Sequence, residues 1–205
     1  MRSPLTRALG AAAAALLLSS PSPASADAVP GQAAPDFSLK DAQGRPHALS
    51  KLKGQVVVLE WVNPECPFVK KHYGSQNMQK LQKAYGAKGV TWLLVNSSAP
   101  GKQGHLTTTS GPAFVKDSGA AAAALLFDHD GQVGRLYGAK TTPHMYVIDR
   151  AGKLAYAGAI DDKPSTDPDD IPGARNYVSD ALDAVLQDKA VATASTAPYG
   201  CSVKY

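Results

Sequence analysis

Between Gln55 and Tyr73 the chain reads Gln-Val-Val-Val-Leu-Glu-Trp-Val-Asn-Pro-Glu-Cys-Pro-Phe-Val-Lys-Lys-His-Tyr, and this stretch constrains the fold more than any other. The β-branched and aliphatic run Val56 to Leu59 predicts a buried strand, ending in Trp61 before the Asn63-Pro64 turn. Cys66-Pro67 then opens a helix. Proline at the first helical position loses no hydrogen bond, because the N–H it lacks has no intrahelical partner there, so Cys66 falls at or beside the N-cap. Unpaired N–H groups and the positive end of the helix dipole then face the sulfur. Such a position lowers a thiol pKa from about 8.5 to roughly 3.5–7.5, and the thiolate is the form that attacks peroxides and disulfides. Strand, turn, Cys-Pro and helix in that order make a redox-site arrangement.

The N-terminus qualifies where such a site would work. Arg2 and Arg7 precede and enter an Ala/Leu run from Ala8 to Leu18, followed by Ser-Pro-Ser-Pro-Ala-Ser-Ala26. Residues 1–26 read as a signal peptide cleaved after Ala26, which predicts an exported protein, periplasmic by first choice and secreted by second. The apolar run is shorter than the roughly 20 residues a bilayer span needs, and no cysteine at the cleavage point offers a lipid anchor, so no membrane anchor is expected. Removing Arg2 and Arg7 lowers the formal net charge from +4 to +2, a balance that predicts no nucleic-acid partner. The two cysteines, Cys66 and Cys201, would meet an oxidising compartment in which a disulfide persists.

Along the remaining chain, Gly31 to Leu39 gives a short apolar alternation with a turn signal at Asp41 to Gly44. Apolar positions from Pro67 to Tyr85 follow one helical face, with Gly74 marking a kink and Gly86 and Gly89 ending it. Val90 to Val95 is a second buried strand, followed by Asn96 to His105 as a surface loop. Pro112 to Ala124 is helix-compatible, Leu125 to Phe127 a short strand, and Gln132 to Tyr137 one or two helical turns. Met145 to Asp149 and Lys153 to Gly158 form a hairpin about Asp149-Arg-Ala-Gly152. Asp161 to Gly173 reads as an exposed insertion, Asn176 to Leu186 as a last helix, and Val191 to Ala197 as a tether to Tyr199-Gly-Cys-Ser-Val-Lys-Tyr205. Strands alternating with helices and closing in a hairpin predict an α/β fold with a mixed sheet. The expected organisation is a signal peptide (1–26), one domain (27–190) and a tail (191–205) carrying Cys201.

Three signatures coincide: Gly31-Gln-Ala-Ala-Pro-Asp-Phe-Ser-Leu39, the strand into Cys66-Pro67, and Asp130-Gly-Gln-Val-Gly-Arg-Leu-Tyr-Gly138 leading to Thr142-Pro143 and Tyr146-Val-Ile-Asp149. Together they resemble the thioredoxin-fold redoxins, in particular the peroxiredoxin-like alkyl hydroperoxide reductase/thiol-specific antioxidant family, over about Gly31 to Ala190. The resemblance implies a thioredoxin-like fold with a central mixed sheet flanked by helices and a C-terminal hairpin and helix. It implies a cis-proline at Pro143, held with Thr142 against the reactive sulfur. It also implies peroxide or disulfide as substrate and a thiol as electron donor. The chain departs from the family at two positions. Asn63 stands where a peroxiredoxin has a threonine donating to the peroxide, and Val69 stands where a disulfide reductase has the second cysteine of Cys-x-x-Cys. The partner left for Cys66 is Cys201, and the aromatic anchors Tyr199 and Tyr205 suggest a tail that folds back to bring it there.

Each candidate has an ordinary alternative. Cys66 as a buried inert thiol is set against its helix-N-terminal position and Lys70 one turn on. Cys201 is either a resolving thiol or half of a structural staple, and a staple over so long a loop would stabilise the fold by about 5 kcal/mol. Arg135 is a cation for the thiolate or peroxide, or a solvated surface charge. His144 reaches the sulfur or is simply half-buried, and Asn63 donates to substrate or only makes its turn. Glu60 and Glu65, if close to the sulfur, would raise its pKa. Five histidines without ligand spacing, no Cys-x-x-Cys and no glycine-rich phosphate loop predict neither metal nor cofactor. Two functional classes remain: a thiol-dependent oxidoreductase with peroxide-reducing activity through Cys66 and resolution by Cys201, or a redoxin-fold binding protein with a structural disulfide and a docking groove at Pro143.

Overall fold

The computed structural model describes residues 28–205, so the signal-peptide reading of residues 1–26 lies outside the described residues. A seven-stranded mixed sheet runs in the order β2-β1-β5-β4-β3-β7-β8. Its strands are β1 (Ser38–Lys40), β2 (Pro46–Ala48), β3 (Val57–Trp61), β4 (Thr91–Asn96), β5 (Ala124–Phe127), β7 (His144–Ile148) and β8 (Leu154–Gly158). β3, β4 and β5 are parallel neighbours, while β7 pairs antiparallel with both β3 and β8. β6 (Thr141–Thr142) and β9 (Cys201–Ser202) form a separate two-stranded ladder. The helices are α1 (Pro67–Gly74), α2 (Asn77–Gly86), α3 (Ser110–Ser118), α4 (Gln132–Leu136) and α5 (Tyr177–Leu186).

The period-two alternation of β3 divides the apolar side chains between two cores. Val56, Val58 and Val62 pack with Val69, Tyr73, Met78, Val178 and Leu182 beneath α1, α2 and α5. Val57, Leu59 and Trp61 face the other way, onto Phe37, Val133, Tyr137 and Tyr146. Every residue of β3 is buried, which explains why its sequence is a continuous apolar run interrupted only by Glu60. The hairpin between β7 and β8 turns at Asp149 to Gly152 as the sequence predicts, with the Gly152 N–H donating to the Asp149 carbonyl.

Five local expectations are corrected, the last of them in the tail. The helix expected from Pro67 to Tyr85 is two helices: Gln76 adopts φ 62, and its N–H turns back to the Tyr73 carbonyl. The Pro112 to Ala124 helix stops at Ser118, because Gly119 takes φ 68 and caps it. Asn96 to His105 is no plain surface loop. Asn96, Ser97 and Ser98 are buried, and the Asn96 side chain donates to the carbonyls of Val62 and Gly104 and accepts the Leu106 N–H. Ser97 joins Trp61 to the buried Asp128, which also accepts the Val133 and Gly134 N–H groups and so fixes α4. Residues 161–173 are mostly exposed and include a 3-10 helix over Pro168–Gly173, but Asp161 itself is buried.

The stretch from Val191 to Ala197 is more than a tether. The Ala157 N–H donates to the Ala194 carbonyl and the Thr196 N–H to the Ala157 carbonyl, so it lies along the outer edge of β8. Beyond it the chain continues to β9, and Tyr205 closes the tail by donating to the Ala139 carbonyl at 2.7 Å. The 97–105 loop meets the turn before Cys66 at Gly104, which has φ 74 and leaves no room for a Cβ beside the Asn63 amide. Gly104→Ala therefore combines a disfavoured backbone with a collision, and is expected to lower unfolding free energy by about 2–4 kcal/mol in urea titration. A loss below measurement error would contradict this packing.

Candidate functional site

Cys66 is the N-cap of α1, with φ −70 and ψ 124, and Pro67 occupies the first helical position as the sequence predicts. The Asn63 carbonyl accepts the Cys66 N–H at 3.1 Å and closes the Asn63-Pro64-Glu65-Cys66 turn. The sulfur is buried, and in its thiol form donates to the Thr142 carbonyl at 2.9 Å. The Thr142-Pro143 peptide bond is cis. Register pairs Thr142 with Cys201 across the β6–β9 ladder, so the tail returns its cysteine to the reactive turn from 135 positions along the chain. Cys66 and Cys201 are both free thiols, the second half-exposed.

The two thiols are electrostatically unequal. Burial pushes the Cys66 pKa up, but hydrogen bonds from the Cys201 thiol, the Val69 N–H, the Cys201 N–H and the Thr142 hydroxyl together hold it below the ordinary value. The Thr142 carbonyl opposes them by accepting the thiol proton, and the Cys201 carbonyl, 3.5 Å from the Thr142 hydroxyl, competes for that hydroxyl's proton. Cys201 is pushed up to about 11 by burial, by its hydrogen bond to Cys66 and by the negative charge there. Cys66 is thus the more acidic of the two thiols.

The other candidates are distributed differently. Asn63 is buried, but its amide donates to the Gln103 carbonyl at 3.3 Å and its oxygen accepts the Glu65 N–H at 2.8 Å, so it builds the turn. Arg135 is exposed, bonded to the Asp130 carbonyl at 2.8 Å and stacked on the Tyr205 ring at 4.4 Å. It is a cation holding down the tail's last residue. His144 is buried against Tyr146, whose hydroxyl lies 3.0 Å from Nδ1, and burial lowers its pKa to about 3. Lys70 is exposed, and Glu65 accepts the Gly104 N–H at 3.1 Å. Glu60 is bound to Trp92, Tyr73 and Gln82 under α1 and α2, and neither carboxylate is among the groups acting on the Cys66 thiol. Sequence reasoning passed over His72 and Asp161, which flank Tyr199 beside the site. Among the described residues no group of three or more His, Cys, Asp or Glu is placed to hold a metal ion, and no helix is long and apolar enough to cross a membrane.

A helix N-cap cysteine, a cis-proline against it and a mixed sheet of this order define a redoxin with a thioredoxin-like fold. The chain belongs to the AhpC/TSA family, whose model matches residues 30–157. It is 30% identical over 131 residues to "Thiol-disulfide oxidoreductase ResA" of Geobacillus thermodenitrificans (strain NG80-2), covering 60% of this chain and 66% of that protein, just under two thirds of its length. Among solved structures it is similar to a hypothetical protein of Sinorhizobium meliloti 1021, with TM-score 0.74, 26% identity and coverage of 88% of this chain and 96% of that one. A putative thiol:disulfide interchange protein DsbE from Chlorobium tepidum follows with TM-score 0.52, 31% identity, and coverage of 64% and 85%. The family match ends before α5 and the tail, so Cys66 lies inside it and Cys201 outside.

Glu60 supplies a pH test of this packing. Burial raises its pKa from 4.5 to about 7, against the lowering effect of Trp92, Tyr73 and Gln82. Between those values the folded chain holds a proton that the unfolded chain has released. The associated stability is complete below 4.5 and is lost as pH rises through about 7. A shift of this size corresponds to a few kcal/mol, on the order of 3. Glu60→Gln should remove that part of the pH dependence, so the fall in unfolding free energy between about pH 5 and 8 is expected to be smaller in the variant. Equal falls in wild type and variant would show that Glu60 ionises normally.

Proposed function

We propose that this chain is an exported thiol-disulfide oxidoreductase in which Cys66 is the nucleophile and Cys201 the resolving thiol. The observation carrying the reading is that the Cys66 sulfur at the α1 N-cap and Cys201 of β9 converge on Thr142, the first through its bond to the Thr142 carbonyl and the second across the β6–β9 ladder, with the two pKa values displaced in opposite directions. In this scheme the Cys66 thiolate attacks a substrate disulfide, forming a mixed disulfide and releasing one thiolate. Cys66 then no longer carries charge or accepts the Cys201 proton, which removes two of the causes holding the Cys201 pKa high. Cys201 loses its proton and attacks the Cys66 sulfur, expelling the second substrate thiol. Two electrons and two protons have passed from the protein to the substrate, and a dithiol donor reverses the change. Thr142 and Pro143 hold the sulfur's carbonyl partner, and Asn63 shapes the turn that presents the sulfur.

The names of the relatives support disulfide as the substrate class. Peroxide is the second reading, favoured by the family match: Cys66 would cleave the O–O bond, becoming a sulfenic acid, and Cys201 would condense with it to release water. Export rests on the character of residues 1–26.

Mixing reduced protein with a peptide disulfide or with hydrogen peroxide, followed by thiol counting and mass mapping, separates these readings. A disulfide oxidoreductase loses both thiols to one Cys66–Cys201 bond on meeting the peptide. Cys66→Ser abolishes the reaction, and Cys201→Ser leaves a mixed disulfide trapped on Cys66. Faster oxidation by peroxide than by the peptide would favour the peroxidase, and inertness of Cys66 toward both would overturn the proposal.

A further inference from the structure

Downstream of Cys201 the tail is tied down at Val203, Lys204 and Tyr205, but upstream it has few means of holding the cysteine over Cys66. β9 is two residues long, the preceding segment is Ala-, Ser- and Thr-rich, and Gly200 between Tyr199 and Cys201 sits at φ 139 against the Thr142 carbonyl. Upstream of the cysteine, the large side chain nearest in sequence is Tyr199. Its ring packs on Phe68 of α1 with centroids 5.7 Å apart, and its hydroxyl enters a buried polar cluster formed by His72 of the same helix and by Asp161.

Hydrogen-bond directions in that cluster are fixed. The phenol has one proton, which goes to Asp161 Oδ1. His72 Nε2, 3.1 Å from the phenol oxygen, must therefore supply the hydrogen of that bond, and Nδ1 accepts from the Asn77 amide at 2.9 Å. A neutral His72 fits this, since burial lowers its pKa to about 4. The chain runs Asn77 to His72 to Tyr199 to Asp161, linking the helix that begins at Cys66 to the strand that carries Cys201. Its terminal oxygen, Asp161 Oδ2, is buried with no hydrogen-bond partner and lies 4.0 Å from His72 Nε2. An acceptor kept buried with an unsatisfied oxygen is a cost that packing alone does not explain.

We propose that Tyr199 is the positioning residue of the thiol pair: hydrogen-bonded to Asp161 and His72 and packed on Phe68, it sets where the Cys201 thiol meets the Cys66 sulfur. The inference rests on Cys201 acting on Cys66, as in the reading above, but it concerns the geometry of the free protein and not the substrate. Tyr199 touches no reacting atom and acts through Cys201. Without its hydroxyl, Tyr199→Phe leaves His72 Nε2 with no acceptor and Asp161 Oδ1 with only the Lys163 N–H, the 199–201 turn shifts, and Cys201 moves away from the Cys66 sulfur.

The test is a pH titration of thiolate ultraviolet absorbance on the reduced full chain, which needs no substrate and so stands whether or not the enzymatic reading does. Tyr199→Phe is expected to raise the midpoint of the Cys66 step by about one unit, a tenfold smaller thiolate fraction at a fixed pH below it. In a Cys201→Ser background the same substitution should leave the midpoint where Cys201→Ser alone puts it. Asp161→Asn, nearly isosteric, should give a smaller shift with the same dependence on Cys201, and serves if the phenylalanine variant does not fold. An unmoved midpoint with Cys201 present, or an equal shift in both backgrounds, would overturn the proposal. The first result would mean that Tyr205 and Thr196 hold the tail unaided, the second that Tyr199 acts on Cys66 by general packing.

Discussion

The Cys66 sulfur sits where three parts of the chain meet, and the active arrangement depends on that meeting. The first turn of α1 brings the Val69 N–H toward it, the cis Thr142-Pro143 segment offers a carbonyl, and the returning β9 strand brings Cys201 beside it, paired with Thr142. A helix N-terminus alone favours a thiolate, but burial pushes the other way, and the balance is tipped by groups that arrive from 76 and 135 positions along the chain. The lowered pKa of this thiol is thus a property of the tertiary fold, with the helix as one contributor.

The tail is therefore a structural part of the site. It is stitched to the body at the β8 edge by Thr196 and Ala157, at β6 by Cys201, and at α4 by Tyr205, whose ring fills the space left open at Gly131 and Gly134 and is covered by Arg135. Thr196 donates or accepts at the Tyr156 hydroxyl and receives the Ala159 N–H, so its one oxygen serves two buried partners. Arg135, which the sequence offered as a cation for the sulfur, acts at the far end of this tail. Val69 stands where a Cys-x-x-Cys protein has its own partner cysteine, and in the proposed reading Cys201, from outside the family-matched region, takes that part.

What was legible in the sequence followed from local rules. β3 reads as buried because both faces of its sheet are covered, and Cys66 reads as an N-cap because Pro67 tolerates only the first helical position there. The cis Thr142-Pro143 bond was legible through family resemblance, since local sequence gives no reason for it. The interruption at Gly74 was legible as a kink, but the full break into two helices was not, because the Tyr73 carbonyl is claimed by the Gln76 N–H and by the Gln79 side chain, a tertiary arrangement with no period in the sequence. The burial of Asn96 and Ser97 was hidden for the same reason: polar residues read as loop until their partners, Val62 and Asp128, are known to be within reach. The tail's aromatic anchors were visible, but His72 and Asp161, with no local signal, were not.

The central claim is that Cys66 and Cys201 form one redox couple. Equilibrating the protein in glutathione buffers of graded potential, with acid quenching and mass mapping, tests it most directly. The account predicts a single two-electron transition between two free thiols and one intramolecular Cys66–Cys201 disulfide. Glutathione attached independently to each cysteine, with no peptide linking the two, would contradict it.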